Sequence, residues 1–167
     1  MPLKKMTTLA LFTTLSLAIY AVESVIPPLV PIPGIKLGLA NIITLILLQY
    51  STLKDAALVL AARILLSSLL FGQLVSLAYS LVGGIFSLLV MFLISRLLHK
   101  KFPFLTGAAG GLSHNIGQLL VAFFLTATPG IMAYLPFLVL SGIITGFFTG
   151  LVTTFLPPVF HHPDFQE

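Results

Sequence analysis

Long apolar segments separated by short turns dominate this sequence, and they restrict its fold more than any other feature does. About 20 apolar residues are enough for an α-helix to cross the hydrocarbon core of a bilayer. Six apolar segments occur, at about residues 6–26, 36–50, 53–71, 74–98, 105–126 and 131–156. Because backbone in lipid must satisfy its own hydrogen bonds, segments of this length predict membrane-spanning helices.

The low charge of the chain excludes an ordinary water-soluble domain. Only 7% of the 167 residues are charged and 58% are hydrophobic, whereas a soluble domain carries roughly 25% charged residues. We therefore expect an all-α integral membrane protein, folded as a single transmembrane domain over residues 1–167 with six transmembrane helices.

The positions of the cations predict how this protein is oriented. Short loops rich in Lys and Arg face the cytoplasm. Six of the eight Lys and Arg residues fall on one side of a six-helix topology, namely Lys4, Lys5, Lys54, Arg96, Lys100 and Lys101. Both termini are therefore expected in the cytoplasm, with Lys36 and Arg63 as the exceptions. The net charge of +4 does not indicate a nucleic-acid partner, because cytoplasmic loops of membrane proteins carry an excess of Lys and Arg in any case.

Composition and motifs argue against catalysis by this chain. Cys is absent, which excludes disulfides, thiolate metal sites and thiol nucleophiles. The sequence contains no Walker A loop, no G-x-S-x-G elbow and no H-E-x-x-H motif. No paired acidic cluster within the apolar segments could hold Mg²⁺ on a diphosphate. We predict no catalytic residue, no metal site and no cofactor.

The stretch IPPLVPIPGIKLGLANI, residues 26–42, separates the first two apolar segments. Its four prolines restrict the backbone, and Gly34 permits the turn into the second segment. That segment has roughly 15 residues, which reach only about 22 Å as a helix. Non-helical backbone is tolerated at membrane depth where it packs on protein or lines a cavity. Residues 27–35 are therefore expected to form a lid over a site that opens outward.

Polar side chains inside the apolar segments are the candidate ligand-binding residues, because burying them in a membrane is costly. They are Glu23, Lys36, Asn41, Arg63, Tyr79, His114, Asn115 and Gln118. Most fall in the outer half of the expected bundle, and the excess of cations over one carboxylate favours an anionic or strongly polar ligand. The alternative is a closed structural arrangement, with Glu23 paired to Arg63 or Lys36 and His114 hydrogen-bonded to a backbone carbonyl.

Small residues repeat every four positions in the first and last segments. They are Ala10, Thr14 and Ala18 in the first segment, and Gly142, Gly146 and Gly150 in the last. Such faces let helices approach closely in lipid. For the glycine face we expect packing inside the protein. For the first helix, internal packing and docking onto a separate membrane partner are both open.

Two motifs carry a family resemblance that covers nearly the whole chain. PIPGIKLGLANI at 31–42 and GGLSHNIGQLL at 110–120 resemble the small bacterial membrane family called Gx transporter or heptaprenyl diphosphate synthase component I. That family is similar in size and helix number to the substrate-binding S components of energy-coupling factor importers. The resemblance implies a multi-pass protein of the bacterial plasma membrane.

The resemblance also implies partners and residue roles. An S component docks through a small face on its first helix onto a transmembrane coupling subunit, which two ATPases drive. Ala10, Thr14 and Ala18 would form that face, although Thr14 departs from the usual alanine pattern. Residues 27–35 would be the lid over the ligand. The likeliest ligand contacts would be Tyr79, His114, Asn115 and Gln118.

The main functional hypothesis is therefore the substrate-binding subunit of an ATP-driven importer. It would capture a small polar or anionic molecule, or an isoprenoid or quinone precursor, from outside. The alternative is a non-catalytic membrane subunit of a heptaprenyl diphosphate synthase, which would anchor a soluble catalytic partner or hold the apolar chain. Catalytic prenyl diphosphate synthases use aspartate-rich Mg²⁺ motifs, which this sequence lacks. A third option, an autonomous secondary transporter, would need coupling-ion ligands and usually internal repeats.

Overall fold

The computed structural model describes residues 3–26, 36–71 and 74–156, and its regular structure over these residues is entirely helical. The α-helices are α1 (Leu3–Val25), α2 (Asn41–Tyr50), α3 (Leu53–Phe71), α4 (Leu74–Leu97), α5 (Pro103–Thr126) and α6 (Leu135–Phe155). A 3₁₀ helix over Pro129–Tyr134 leads into α6. The predicted all-α class is confirmed.

Within the described residues, four helices are long and apolar enough to cross a membrane: α1, α4, α5, and α6 together with the 3₁₀ helix before it. Helix α2 has only ten residues. Helix α3 has 19, but they include Lys54, Asp55 and Arg63. The lengths and composition of the helices thus support a membrane protein, while six crossings and cytoplasmic termini stay predictions.

Four helices begin at positions other than those expected. Helix α1 begins at Leu3 rather than 6, because its first turn includes Lys4 and Lys5, which continue the helix beyond the apolar segment. Helix α2 begins at Asn41 rather than 36, because Gly38 has a left-handed φ of +82° that interrupts a right-handed helix. Helix α6 begins at Leu135 rather than 131, beside Pro136, which cannot donate a helical hydrogen bond. Helix α5 begins at Pro103 rather than 105, because proline is favourable in a first helical turn.

Long-range contacts define two ends of the bundle. At the basic end, Lys5 Nζ lies 3.1 Å from Asp55 Oδ2, which joins the starts of α1 and α3. At the distal end, the hydroxyls of Tyr20 and Ser76 lie 2.9 Å apart, which joins the end of α1 to the start of α4. Consecutive helices therefore run in alternating directions between the basic and distal ends.

Helix α2 lies inside the bundle. Seven of its ten residues are buried, and Ile43, Leu45 and Leu47 are among the most completely buried large side chains. They belong to an apolar core that also includes residues of α1, α3 and α4. A helix that is apolar on all sides is expected in such an interior position, so α2 need not present a full membrane-spanning length to lipid.

Helices α5 and α6 pack backbone against backbone through glycine. A methyl group added at Gly142 would lie 2.6 Å from the carbonyl oxygen of Gly111, and one added at Gly146 would lie 2.8 Å from the carbonyl carbon of Gly107. Gly150 is similarly close to the backbone at Pro103. The expectation that the α6 glycines serve internal packing is confirmed, and this contact fixes α5 beside α6.

Candidate functional site

Polar side chains converge on the non-helical segment 36–40, which leads into α2. We call the following residues the polar cluster: Glu23, Lys36, Asn41, Arg63, His114 and Gln118. Each except Lys36 is at most 5% exposed. They come from α1, α2, α3, α5 and the segment itself. The structure therefore brings together six of the eight side chains that the sequence identified as candidates.

Two members of the cluster hold the segment through its backbone. The N–H of Gly38 donates to Glu23 Oε1, and the N–H of Lys36 donates to Gln118 Oε1 at 3.3 Å. Backbone outside a helix needs such partners when it is surrounded by protein or lipid. The Glu23 and Gln118 side chains therefore replace hydrogen bonds that helical geometry would have supplied.

Two further contacts fix the same segment from α1 and α6. The ammonium of Lys36 lies 3.4 Å from the ring centroid of Tyr20, an attraction worth about 0.5–2 kcal/mol depending on desolvation. The Thr145 hydroxyl, which donates to the Ser141 carbonyl of its own helix at 2.8 Å, also lies 3.4 Å from the carbonyl oxygen of Leu37. Lys36 Nζ has no hydrogen-bond partner among the described residues. Its charge therefore lies against an aromatic face, and no described residue accepts from its donors.

The His114 imidazole is enclosed by two glycines. A methyl group at Gly38 would lie 2.8 Å from His114 Cδ2, and one at Gly83 would lie 2.9 Å from His114 Nδ1. Neither position leaves room for a side chain beside the ring. The imidazole thus packs segment 36–40 against α4, and the φ of Gly38 independently favours glycine there.

Several buried polar atoms of the site find no hydrogen-bond partner among the described residues. They include both side-chain polar atoms of Asn41, Nη2 of Arg63 and Oδ1 of Asn115. An unsatisfied buried polar group costs about 1–3 kcal/mol. A bound molecule with a carboxylate, phosphate or carbonyl oxygen could accept from Arg63 and Asn41 and remove part of that cost.

The direct ion pair considered from the sequence is not formed within the described residues. No Lys36 or Arg63 nitrogen lies within the 4.0 Å salt-bridge distance of a Glu23 oxygen. The carboxylate is nevertheless within electrostatic range of both cations. Glu23 therefore balances their charge at longer range while its oxygen binds the backbone of Gly38.

Two sequence-predicted ligand residues make other contacts. Tyr79 packs in a separate apolar group with Leu119 and Ile131. Asn115 Nδ2 donates to the carbonyl of Leu138 at 2.8 Å and also contacts the Ser141 hydroxyl at 3.1 Å. These contacts indicate that the side-chain nitrogen of Asn115 links α5 to α6.

The predicted docking face is on the outside of the bundle. Ala10, Thr14 and Ala18 are exposed. The Thr14 hydroxyl donates a hydrogen bond to the Ala10 carbonyl of its own helix at 3.0 Å. The predicted lid, residues 27–35, lies outside the described residues. The docking and lid roles therefore stay predictions.

Sequence reasoning missed two residues that shape the site: Tyr20 and Gly38. Tyr20 lies three positions before Glu23, a spacing that places both on one helix face, so its position was available as a signal. Gly38 carried no comparable signal, because glycine is frequent in membrane proteins of this kind.

Comparison with known proteins gives one family. The model of the family described as heptaprenyl diphosphate synthase component I matches residues 12–156. Searches of curated proteins and of solved structures found no match. The matched span contains all of α2 to α6 and most of α1, and thus the whole polar cluster.

Proposed function

Because the chain belongs to the family of heptaprenyl diphosphate synthase component I, we propose that it is the non-catalytic membrane subunit of a prenyl diphosphate synthase. The observation that carries this proposal is the family match over residues 12–156. No comparison supports a coupling subunit or ATPases as partners, so the synthase alternative now stands ahead of the importer hypothesis.

The carboxylates of the chain support a non-catalytic role. The sequence has four Asp and Glu residues in total, and two of them lie in the helices. Glu23 binds the backbone of Gly38, and Asp55 is bound by Lys5 and by hydroxyl groups. Mg²⁺ on a diphosphate requires carboxylates that are free to bind the metal. We infer that a soluble partner subunit supplies them.

The bundle would hold that partner at the membrane. The described part of the chain has four helices suited to a bilayer, and the exposed cations Lys54, Arg96 and Lys100 lie together at one end of the bundle. Such a surface favours encounter with an acidic partner surface through long-range attraction. The growing prenyl chain is apolar, so synthesis next to the bilayer would let it enter lipid. In this proposal the main role of the polar cluster is to hold the backbone of segment 36–40 in place.

A flotation assay tests the proposal. The purified chain is reconstituted in vesicles, and a soluble catalytic prenyl diphosphate synthase subunit from the same organism is added before density-gradient flotation. We expect the catalytic subunit to float with vesicles that contain the chain and to stay behind with empty vesicles. A catalytic subunit that remains at the bottom of both gradients, with unchanged product chain length, would contradict the proposal.

The unpaired atoms of the polar cluster favour a second candidate, a substrate-binding subunit of an ATP-driven importer. Lys36 Nζ, Asn41 and Arg63 offer donors to a polar or anionic molecule, or to an isoprenoid or quinone precursor. A transmembrane coupling subunit with two ATPases would dock on Ala10, Thr14 and Ala18.

Uptake measurements separate the two candidates. In cells that carry the chain, replacing Arg63 by Met should abolish uptake of the transported molecule if the importer candidate holds. Tyr134→Phe is the matched control, because Tyr134 packs outside the cluster and has no predicted contact with the transported molecule. If Arg63→Met leaves uptake of every tested precursor unchanged while prenyl chain synthesis falls, the importer candidate is wrong.

A further inference from the structure

A cavity of about 650 Å³ lies at the basic end, at the opposite end of the bundle from the Tyr20–Ser76 contact. It is formed where the start of α1, the α2–α3 turn and the end of α4 meet. Its charged lining residues are Lys5, Lys54, Asp55, Arg96 and Lys100. Four cations therefore face one carboxylate.

The carboxylate in the cavity is already satisfied. Asp55 Oδ2 accepts from the Ser51 hydroxyl at 2.6 Å and from the Thr52 hydroxyl at 2.7 Å. It also lies 3.1 Å from Lys5 Nζ. Because Asp55 and Lys5 compensate each other, the remaining lining cations, Lys54, Arg96 and Lys100, give the cavity a net positive charge.

Two of these cations are positioned by the fold. Lys100 Nζ donates to the carbonyl of Gln49 at 2.7 Å, and Gln49 Nε2 donates back to the carbonyl of Lys100 at 2.6 Å. An ammonium has three donors, so two are left for a ligand. The Arg96 guanidinium lies 5.1 Å from the ring centroid of Phe92. Partial burial, and then the charge of Arg96, lower the pKa of Lys100.

A buried hydroxyl is an independent sign of a ligand. Ser95 lines the cavity and is only 3% exposed. Its Oγ has no hydrogen-bond partner among the described residues. A buried hydroxyl without a partner is unusual, and this one belongs to a residue that lines a cavity with excess positive charge. Its Oγ is closed to solvent, so an oxyanion in the cavity would give Ser95 an acceptor once the side chain turns toward it.

We propose that this cavity binds a phosphate group, as a phosphomonoester or a diphosphate. The guanidinium fork, the ammonium groups and the hydroxyl match the several oxygens of such an anion. The group has two sources, a membrane amphiphile or a free anion. Leu93 and Leu97, both exposed on α4 beside Arg96, would contact an acyl or prenyl tail. The observations that support this site do not include the synthase assignment, although the same three cations, Lys54, Arg96 and Lys100, face the partner in the proposed function.

Binding measurements on the purified full chain in an uncharged detergent test the site. The probes are dioctanoyl phosphatidic acid, inorganic diphosphate, and dioctanoyl phosphatidylcholine as the zwitterionic reference. Binding of phosphatidic acid alone identifies an amphiphile site, and binding of diphosphate alone identifies a free-anion site. Either result, or competition between the two, supports the proposal. If neither anion binds better than phosphatidylcholine, the proposal is overturned.

Charge-neutral variants locate the binding. Arg96→Gln and Lys54→Gln should each weaken anion binding about tenfold, the factor expected when one charge-assisted hydrogen bond is lost. Lys101→Gln removes the same charge from a residue that does not line the cavity and should change binding less than twofold. Equal losses in all three variants would show general charge attraction and overturn the site. If Arg96→Gln does not fold, the comparison of Lys54→Gln with Lys101→Gln tests the site, because Lys54 is an exposed side chain.

Discussion

Replacing Gly146 by Ala tests the packing on which the fold depends. The added methyl would meet the Gly107 carbonyl oxygen most closely, and it would lie 2.8 Å from the Gly107 carbonyl carbon and 2.9 Å from Ala108 Cα. Ordinary contacts of a Cβ begin at 3.4 Å, so α5 and α6 must separate by at least 3.4 − 2.8 = 0.6 Å. Both neighbours are backbone, which cannot move aside as a flexible side chain would. A gap of this size forfeits a quarter or more of the dispersion attraction along the seam.

The sign of the stability change separates tight packing from intrinsic helix preference. Overpacking costs about 1–3 kcal/mol, and the upper part of that range applies to a backbone clash. In the opposite direction, alanine is about 1 kcal/mol more favourable than glycine in a helix interior. We therefore expect Gly146→Ala to destabilise the protein by about 2 kcal/mol, which lowers the melting temperature by about 4–8 °C for a chain of this size.

Thermal unfolding of the purified protein in detergent measures this effect. Gly130→Ala is the matched control, because a methyl there meets only the Thr128 side chain, at 3.9 Å. It should change the unfolding free energy by no more than about 0.5 kcal/mol. A Gly146→Ala protein that melts at or above the wild-type temperature would refute the close approach of α5 and α6.

Three further substitutions probe the polar cluster and its surroundings. Gly83→Ala should lower the free energy of unfolding by about 1–3 kcal/mol, and with it the melting temperature, because the methyl would displace the His114 ring. An unchanged melting temperature would contradict the close packing of His114 against Gly83. Glu23→Leu should speed hydrogen exchange at the amide of Gly38, whereas Glu23→Gln keeps an acceptor oxygen and should retain most of the protection; equal exchange in both variants would show that this hydrogen bond is absent. Asn115→Leu should cost about 0.5–1.5 kcal/mol in the same melting assay, because it removes the hydrogen bond to the Leu138 carbonyl, which keeps the Ser141 hydroxyl as a donor; an unchanged melting temperature would contradict the link between α5 and α6 at this position.

The positions of the helices followed from the apolar segments, because membrane-compatible length and proline boundaries are local properties of sequence. The start of α2 did not follow, since it depends on the left-handed backbone of Gly38. Left-handed geometry at a glycine is a tertiary outcome that composition does not reveal. The start of α6 shows the opposite case, because Pro136 was visible in the sequence and marks the boundary that the structure has.

The composition of the site was also predictable in part. The cost of burying charge in a membrane directed attention to Glu23 and Arg63, and the structure places both in the polar cluster. Asn115 has the same sequence character, yet its amide hydrogen-bonds to α6. Residue type alone could not separate these roles, because the partner of each side chain depends on how helices distant in sequence pack.

Affinity purification from native membranes tests the central claim, a membrane subunit of a prenyl diphosphate synthase, most directly. The chain is tagged at its C-terminus, the membranes are solubilised gently, and the bound proteins are identified by mass spectrometry. The account predicts recovery of a soluble prenyl diphosphate synthase catalytic subunit in near-stoichiometric amount. Recovery of a transmembrane coupling subunit with two ATPases, and no synthase, would contradict it.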